Sequence, residues 1–509
     1  MDKKANLSSK GISAVFWGGF GSVIRTLLQI GTQVVLARLL GPVEYGIFAI
    51  ATVILTFSKF FSDIGISYGL IQKKEVSDDD IRFVFTWQVV IGLVVATVVF
   101  FLSHPLAGFF NEQRLVDVIQ VSSVICLLNA ISSPSLNLLK RDLDFKSIQA
   151  SQLSAYVIGY VFVGIPMAMA GHQVWALIGA FITTETLNFF LLYRHSRHPI
   201  GILFKPKEKS DLLSYGFKVL ATNIINWIIN NIDRVLIGRM FPAAQVGLYS
   251  LSYNLVSSPA LTIIGVIQSA LFSASARVQD DHARLRRALL TMIGVVTLLL
   301  FPVFAGIAAA SDSVLHGLYG EKWLAAAELL RPIALAMPLY LLLGMATPLL
   351  WVSGHTHKEF VIQIPVAIGF VAAAALAATI SLEAVAWTVF AMYFIRAAII
   401  VGTTCRALKI TMQDLFSVMA GGLVATVTTA LAIIAADLAA RQLSDAPIAW
   451  LIADVAAGGI GLLSTLVLFP RLVDDHVAEL FGKVASRLPA RTGEWVQRLL
   501  FRGQLKRSV

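Results

Sequence analysis

The sequence predicts an all-α polytopic membrane protein of about 14 transmembrane helices: two pseudo-symmetric six-helix bundles around a central cavity, plus two extra helices. Of the 509 residues, 57% are hydrophobic and only 14% are charged, whereas about one quarter of a soluble domain is charged. Apolar stretches of about 20 residues, the length that crosses a bilayer, recur along the chain. A polar pattern in the first of these stretches also recurs 201 residues later.

The apolar stretches divide into fourteen predicted spans. They cover residues 12–37, 43–71, 83–103, 115–139, 150–170, 174–193, 214–238, 244–275, 288–310, 329–352, 360–379, 383–404, 415–437 and 447–469. An even number of spans places both termini on one side, and 29 of the 40 Lys and Arg residues fall on that side against six on the other. Because basic loops remain in the cytoplasm, we expect both termini to be cytoplasmic.

The repeated pattern is a stripe on one face of a helix. The first copy consists of Ser22, Arg25, Gln29, Thr32 and Gln33, and the second of Asn223, Asn226, Asn230, Asp233 and Arg234. Side chains at these spacings share one helix face. The copies begin six spans apart, so the repeat is parallel, with its axis along the membrane normal, and two polar faces meeting at a shared cavity are typical of transporters.

The repeat divides the chain into five predicted parts. These are an N-terminal six-helix bundle (1–194), a cytoplasmic basic linker (195–213), a C-terminal six-helix bundle (214–405), two additional transmembrane helices (406–470) and a cytoplasmic amphipathic tail (471–509). The tail has apolar residues at helical spacing among basic ones. We expect it to lie on the membrane surface, with packing against the protein's own loops as the alternative.

Several segments resemble one known family. Residues 38–46 (RLLGPVEYG) resemble the R-x-L-G-P-x-E-Y-G signature of bacterial polysaccharide exporters, and residues 140–146 (KRDLDFK) are similar to their R-x-L-D-F-K segment. Residues 171–177 (GHQVWAL) resemble the family's G-x-G-V-W-A-L turn, with Gln173 in place of the second glycine, and residues 231–238 (NIDRVLIG) resemble its seventh-span motif. These exporters are lipid-linked oligosaccharide flippases of the multidrug/oligosaccharidyl-lipid/polysaccharide exporter superfamily, in particular the colanic-acid and succinoglycan exporter-like branch.

The resemblance implies a function and a place in the cell. The chain is expected to translocate undecaprenyl-diphosphate-linked oligosaccharide repeat units across the bacterial inner membrane by alternating access, for exopolysaccharide or lipopolysaccharide synthesis. Two alternatives stay open: a cation-coupled small-molecule antiporter of the same superfamily, and a non-transporting membrane component such as a polymerase or a scaffold. Polysaccharide polymerase and glycosyltransferases are the candidate protein partners.

Polar residues inside the spans are the candidates for substrate binding. Arg25 has no acidic residue one helical turn away, and a guanidinium binds phosphate oxygens in a bidentate manner. Amides offer both donors and acceptors to sugar hydroxyls. The predicted substrate-binding residues are Arg25, Gln29, Lys59, Asn223, Asn226, Asn230, Arg234 and Arg396. The alternative for Arg25 is a structural ion pair with Asp63 or Glu185, and for the asparagines it is hydrogen bonding between helices.

Carboxylates inside the spans are the candidates for ion coupling, because a carboxylate in a low-dielectric site can titrate near physiological pH. They are Asp63, Glu185 and Asp233, and Asp63 also lies one turn from Lys59, so an intrahelical pair is the alternative. Asp454 lies outside the predicted bundles and is interpreted as structural. The sequence has no G-x-x-x-x-G-K-[ST] phosphate loop and no soluble stretch large enough for a catalytic domain. We therefore expect no enzymatic activity, cofactor, metal site or nucleic-acid partner.

Overall fold

The computed structural model describes residues 2–62, 66–73, 75–204, 212–275, 282–468, 475 and 477–479. Every regular element in these ranges is a helix. The chain packs into two compact units, Met1–Leu251 with Ala378–Leu382, and Ser252–Ala377 with Glu383–Val509. The all-helical prediction is confirmed for the described residues.

The helices of the first unit follow the predicted spans. They are α1 (Asp2–Leu40), α2 (Pro42–Ser62), α3 (Ile66–Gln72), α4 (Asp78–Phe101), α5 (Ser103–Phe109), α6 (Leu115–Ser122), α7 (Val124–Arg141), α8 (Phe145–Tyr156), α9 (Ile165–Met169), α10 (Val174–Ser196), α11 (Leu212–Met240) and the beginning of α12 (Ala243–Ser275). A π-helical segment, Val157–Gly164, joins α8 to α9, so these three form one crossing. At α4, the Ser77 side chain accepts a hydrogen bond from the Asp80 amide, and this capping box begins the helix.

The second unit contains the rest of α12 and eight further helices among its described residues. They are α13 (His282–Val295), α14 (Phe301–Ala309), α15 (Ser311–Tyr319), α16 (Ala327–Val352), α17 (Thr356–Ala378), α18 (Leu382–Ala407), α19 (Met412–Leu443) and α20 (Pro447–Leu468). The π-helical segment Val296–Leu300 joins α13 to α14, and a 3₁₀ turn, Glu321–Ala326, leads into α16. The connection predicted between residues 310 and 329 is therefore largely helical.

Thirteen helical stretches in the described part of the chain are long and apolar enough to cross a membrane. Each falls on one of the predicted spans. The remaining predicted span, 214–238, forms α11, whose 29 residues extend about 43 Å at 1.5 Å per residue and so exceed the hydrocarbon thickness. This helix carries the second copy of the polar stripe.

Glu44 connects two of the family-like segments in the first unit, residues 38–46 and residues 171–177. The Arg114 guanidinium donates to both oxygens of the Glu44 carboxylate, at 3.0 and 2.7 Å, and the Val174 amide donates to it at 2.9 Å. Glu44 is 8% exposed, whereas the Arg114 side chain is 42% exposed, so this bidentate pair joins the starts of α2, α6 and α10 with only its carboxylate buried. Gln173, just before α10, has φ +49° and ψ −133°, a backbone conformation that favours glycine.

The glycines of the two signature copies meet at one helix crossing. A Cβ atom on Gly46 would lie 1.7 Å from the carbonyl oxygen of Ala243, and one on Gly247 would lie 1.9 Å from the carbonyl oxygen of Pro42. The first turns of α2 and α12 therefore approach backbone to backbone. Glycine is required at both positions for this contact, since helix backbones in membranes approach closely only where the residues are small.

The basic connector begins by packing on α4. Thr86 donates its hydroxyl hydrogen to the Gly201 carbonyl at 3.0 Å and accepts the Leu203 amide at 2.9 Å. His198 is 4% exposed and lies 3.0 Å from the Ser135 hydroxyl. Burial lowers the pKa of His198, and its contact with the Pro199 carbonyl opposes this only in part.

The predicted amphipathic tail lies largely outside the described residues. Val477 and Ala478 are each 1% exposed and form an apolar cluster with Leu298, Ala425 and Leu466. At these two positions the chain packs against α19, α20 and the π-helical segment after α13.

Candidate functional site

A polar cavity of about 460 Å³ lies within the first unit. Its described lining comes from one face of each of several helices. These are α1, α2, α7, α8 with the following π-helical segment, and α10. The lining residues are Arg25, Gln29, Lys59, Ser62, Asn129, Ser132, Ser133, Leu136, Asn137, Lys140, Gln152, Tyr156, Tyr160, Phe181, Thr184, Glu185, Asn188 and Leu192. Four predicted site residues, Arg25, Gln29, Lys59 and Glu185, therefore lie at one cavity.

Arg25 is held by an amide and not by a carboxylate. Its Nη1 donates to Gln152 Oε1 at 2.6 Å, and among the described residues no acid forms an ion pair with it. Its Nε is buried without a hydrogen-bond partner. Because a neutral amide orients the guanidinium without cancelling its charge, the positive charge of Arg25 remains available to an anion in the cavity.

The described lining carries three cations, Arg25, Lys59 and Lys140, and one carboxylate, Glu185. Lys59 is close enough to Glu185 for direct charge attraction, although no hydrogen bond joins them. The net charge of these four groups is positive, so the cavity attracts anions. Asp63, the acid predicted to neutralise Lys59 or to couple an ion, lies outside the described residues.

Amides and aromatic rings complete the lining. Asn137 donates to the Ser133 hydroxyl at 3.3 Å, and the carbonyl oxygens of Asn137 and Asn188 are buried without partners. Tyr156 and Tyr160 stack with their ring centroids 4.5 Å apart. Unsatisfied amide oxygens beside stacked rings suit a ligand with many hydroxyls, since hydroxyls donate to the amides and sugar C–H faces pack on the rings.

The second copy of the stripe is largely engaged within the first unit. Asn230 donates to the backbone carbonyl of Asn226 at 2.7 Å, and Trp227 packs on Phe57 with ring centroids 4.7 Å apart. Asp233 is 3% exposed and accepts a hydrogen bond from the Tyr249 hydroxyl. None of these α11 residues lines the cavity, nor does Arg234. The side chain of Asn223 lies outside the described residues.

Arg396 lies in a separate polar cluster in the second unit. It is 7% exposed, and its Nη2 donates to Gln363 Oε1 at 3.3 Å. Gln363 and Trp351 in turn donate to the carboxylate of Glu359. Nε and Nη1 of Arg396 are buried without partners, so this arginine also keeps hydrogen-bond donors for a ligand.

Sequence reasoning missed the stripes on α7 and α10. On α7, Asn129, Ser133 and Asn137 follow one another at intervals of four residues, with Lys140 continuing the line; on α10, Thr184 and Asn188 flank Glu185. The spacing was visible in the sequence and is the signal that could have found them. The contact of Gln152 with Arg25, 127 residues apart, depends on tertiary packing.

A family model described as "polysaccharide biosynthesis protein" matches residues 35–328. The chain belongs to this family. The match includes every lining residue of the cavity except Arg25 and Gln29. The recognition made from the sequence motifs is thus confirmed, and the chain is a multi-pass membrane protein of polysaccharide biosynthesis.

Named relatives agree with this membership. The chain is 27% identical over 320 residues to the lipopolysaccharide biosynthesis protein WzxC of Escherichia coli, a match that covers 62% of this chain and 65% of that protein. It is 24% identical over 321 residues to the succinoglycan biosynthesis transport protein ExoT of Rhizobium meliloti, covering 63% and 64%. To the teichuronic acid biosynthesis protein TuaB of Bacillus subtilis it is 23% identical over 351 residues, covering 69% and 72%.

Solved structures show the same fold. The lipid II flippase MurJ in an inward closed conformation superposes with a TM-score of 0.67 at 14% identity, covering 91% of this chain and 98% of that one. An inward-facing multidrug resistance MATE transporter of the MOP superfamily gives 0.62 at 12% identity, covering 76% and 96%. The predicted fold class is therefore confirmed.

Proposed function

We propose that this protein is a flippase that translocates undecaprenyl-diphosphate-linked oligosaccharide repeat units across the bacterial inner membrane, with both termini in the cytoplasm. The cationic cavity of the first unit is the observation that carries the proposal. Crossing the bilayer unaided would strip water from a diphosphate and from many hydroxyls, a large desolvation cost. A cavity that supplies cations and amides replaces that water.

In this proposal, Arg25 binds the diphosphate and the amides bind the sugars. Arg25 is pre-oriented by Gln152 and presents an unsatisfied Nε, while Lys59 and Lys140 add positive charge. Asn129, Asn137 and Asn188 provide donors and acceptors for hydroxyls. The family membership and the relatives' names support a polysaccharide precursor as cargo, and the bilayer holds its prenyl chain. Arg396, with two guanidinium nitrogens that have no hydrogen-bond partner, is the proposed anion-binding residue of the second unit.

The first test is depletion of the protein in its host. We expect lipid-linked repeat units to accumulate in the inner leaflet, measured by their protection from an impermeant periplasmic glycosidase or label. Normal arrival of these intermediates at the outer leaflet would refute the proposal. Export of a small cationic drug, unchanged levels of intermediates and normal polymer would instead indicate an antiporter.

Arg25→Ala and Arg25→Lys test the cavity itself. A hydrogen bond to a charged group contributes about 1.5–3 kcal/mol, so losing it should slow translocation about 10- to 100-fold, with partial activity in the lysine variant. Lys322→Gln is the control, since Lys322 is an exposed cation outside the cavity. Full export by Arg25→Ala at normal protein level would remove Arg25 from the diphosphate role.

A further inference from the structure

Asp454 on α20 is a buried acid outside the cavity. It is 2% exposed, and both oxygens of its carboxyl group are closed to solvent and have no hydrogen-bond partner among the described residues. An ionised carboxylate with no donor is costly in the hydrocarbon region of a membrane. Intramembrane acids of this kind mark functional sites by default, and the cavity of the first unit does not account for this one.

The polar groups around Asp454 form their hydrogen bonds with a second acid, Asp437. Ser313 on α15 donates its hydroxyl hydrogen to Asp437 Oδ1 at 2.6 Å, and Arg441 Nε donates to Asp437 Oδ2 at 2.8 Å. Ser313, Asp437 and Arg441 are the polar groups that interact with Asp454. One carboxylate of the pair thus receives both donors, and Asp454 receives none.

The remaining charged groups near this cluster are engaged elsewhere. Arg441 lies 4.9 Å from the centre of the Trp450 ring, and the ring of His316 packs edge-on against the same tryptophan at 5.8 Å. Asp312 pairs with Arg331 at 2.5 Å. The third helix packed on α20, α14, has no charged residue. Among the described residues, neither His316 nor Arg331 forms a hydrogen bond with Asp454.

We propose that Asp454 is a proton-binding site, linked through the Ser313 hydroxyl to Asp437. A protonated Asp454 gains the donor that the cluster lacks, and the lone pairs of Ser313 Oγ can accept it because the single hydrogen of Ser313 is already directed to Asp437. When Asp454 passes its proton to Ser313 and Ser313 passes its own to Asp437, one proton moves and no electrons are transferred. Arg441 stabilises the Asp437 carboxylate before this transfer.

A proton fits this site better than a metal ion. A hard cation such as Ca²⁺ requires six to eight oxygen ligands, whereas the cluster offers two carboxylates and one hydroxyl. The guanidinium of Arg441 adds a positive charge beside them. No group of three or more His, Cys, Asp or Glu side chains that could hold a metal ion occurs among the described residues. Two neighbouring carboxyl groups that cannot both ionise commonly share one proton.

Infrared spectroscopy of the full-length protein in lipid nanodiscs tests the proposal. A protonated carboxyl group gives a carbonyl band that shifts in D₂O and disappears when the group ionises. We expect the difference between the wild-type and Asp454→Asn spectra to contain such a band, while the difference between wild type and Asp445→Asn, which removes an exposed acid from the adjacent loop, lacks it. Asp437→Asn should move the titration of the band to lower pH, because it removes a neighbouring negative charge that favours the protonated form of Asp454.

Two results would overturn the proposal. One is an identical carboxylic-acid band in wild type and Asp454→Asn. The other is loss of the band on adding sodium at constant pH, which would indicate a cation site. If Asp454→Asn does not fold, Ser313→Ala decides: removing the acceptor must shift the band, and an unshifted band refutes the link to Asp437. The readout is independent of the cargo, so failure of the proposed flippase function would leave it unaffected.

Discussion

The crossing of α2 and α12 gives a sharp prediction, that Gly46→Ala destabilises the first unit. The new Cβ would lie 1.7 Å from the Ala243 carbonyl oxygen and 2.5 Å from its carbonyl carbon. Because both atoms belong to backbone, no side-chain rotation relieves the clash, and the helices must move apart by more than 1 Å. Adding one methyl to a tightly packed site costs about 1–3 kcal/mol, and alanine's better helix propensity returns at most about 1 kcal/mol.

Thermal unfolding of the detergent-solubilised full chain is the assay. For a unit of this size, about 2 kcal/mol corresponds to a decrease of roughly 4–8 °C in the unfolding temperature. Gly265→Ala is the matched control, because Gly265 lies in the same helix as Gly247 and a Cβ there meets nothing within 4 Å. We expect that control to unfold at or above the wild-type temperature.

The double variant distinguishes a shared crossing from two separate sites. Gly247→Ala places its Cβ 1.9 Å from the Pro42 carbonyl oxygen and 3.0 Å from the Gly46 amide nitrogen. Once the helices have separated to admit one methyl group, admitting the second costs less. The decreases in unfolding temperature of the two single variants should therefore sum to more than the decrease in the double variant. Unfolding of Gly46→Ala at the temperature of the Gly265→Ala control would refute the reasoning.

Two further predictions concern the ends of α10. Gln173→Gly should raise the unfolding temperature, because relief of a strained positive φ is worth about 1–3 kcal/mol, more than the entropy cost of glycine and the loss of a 3.3 Å hydrogen bond from Arg114. Gln173→Ala keeps the positive φ and loses the hydrogen bond, so it should lower the unfolding temperature. If the alanine variant unfolds at a higher temperature than the glycine variant, the backbone at Gln173 is not strained. For His198, whose pKa burial lowers below 6.5, the unfolded chain takes up a proton before the folded one as the pH falls. Its stabilising contribution is therefore complete above pH 6.5 and lost below it, so wild type should lose more thermal stability between pH 7.5 and 5.5 than His198→Gln, with exposed His195→Gln behaving like wild type.

The spans were predictable because their signal is local. A stretch of about 20 apolar residues identifies a crossing without reference to the rest of the chain. Single motifs were also predictable: the sequence marks Gln173 as a departure from a glycine position, and the structure gives it a positive φ. What joins the motifs was not predictable. Glu44 receives Arg114 from 70 residues away and the Val174 amide from 130 residues away, and no periodicity encodes such pairings.

The site was predictable only where a charge stood out from apolar sequence. Arg25, Lys59 and Glu185 are conspicuous because intramembrane charge is expensive. The asparagines and serines of α7 are not, since small polar residues also serve helix packing in membranes. The repeat pointed to two equivalent faces, yet Asn230 bonds its own helix and Asp233 bonds Tyr249. A shared spacing therefore does not imply a shared role.

The two units do share one feature: each contains a membrane-span arginine that donates to a glutamine. Arg25 on α1 donates to Gln152, and Arg396 on α18 donates to Gln363. In each case the partner is a glutamine of a neighbouring crossing, and at least one guanidinium N–H is buried without a partner. A carboxylate in place of the glutamine would cancel the charge and stabilise the empty protein, whereas a neutral amide fixes the geometry and leaves the charge uncompensated. An uncompensated buried charge is costly to the empty protein, so the neutral partners support the proposal that a ligand supplies the negative charge.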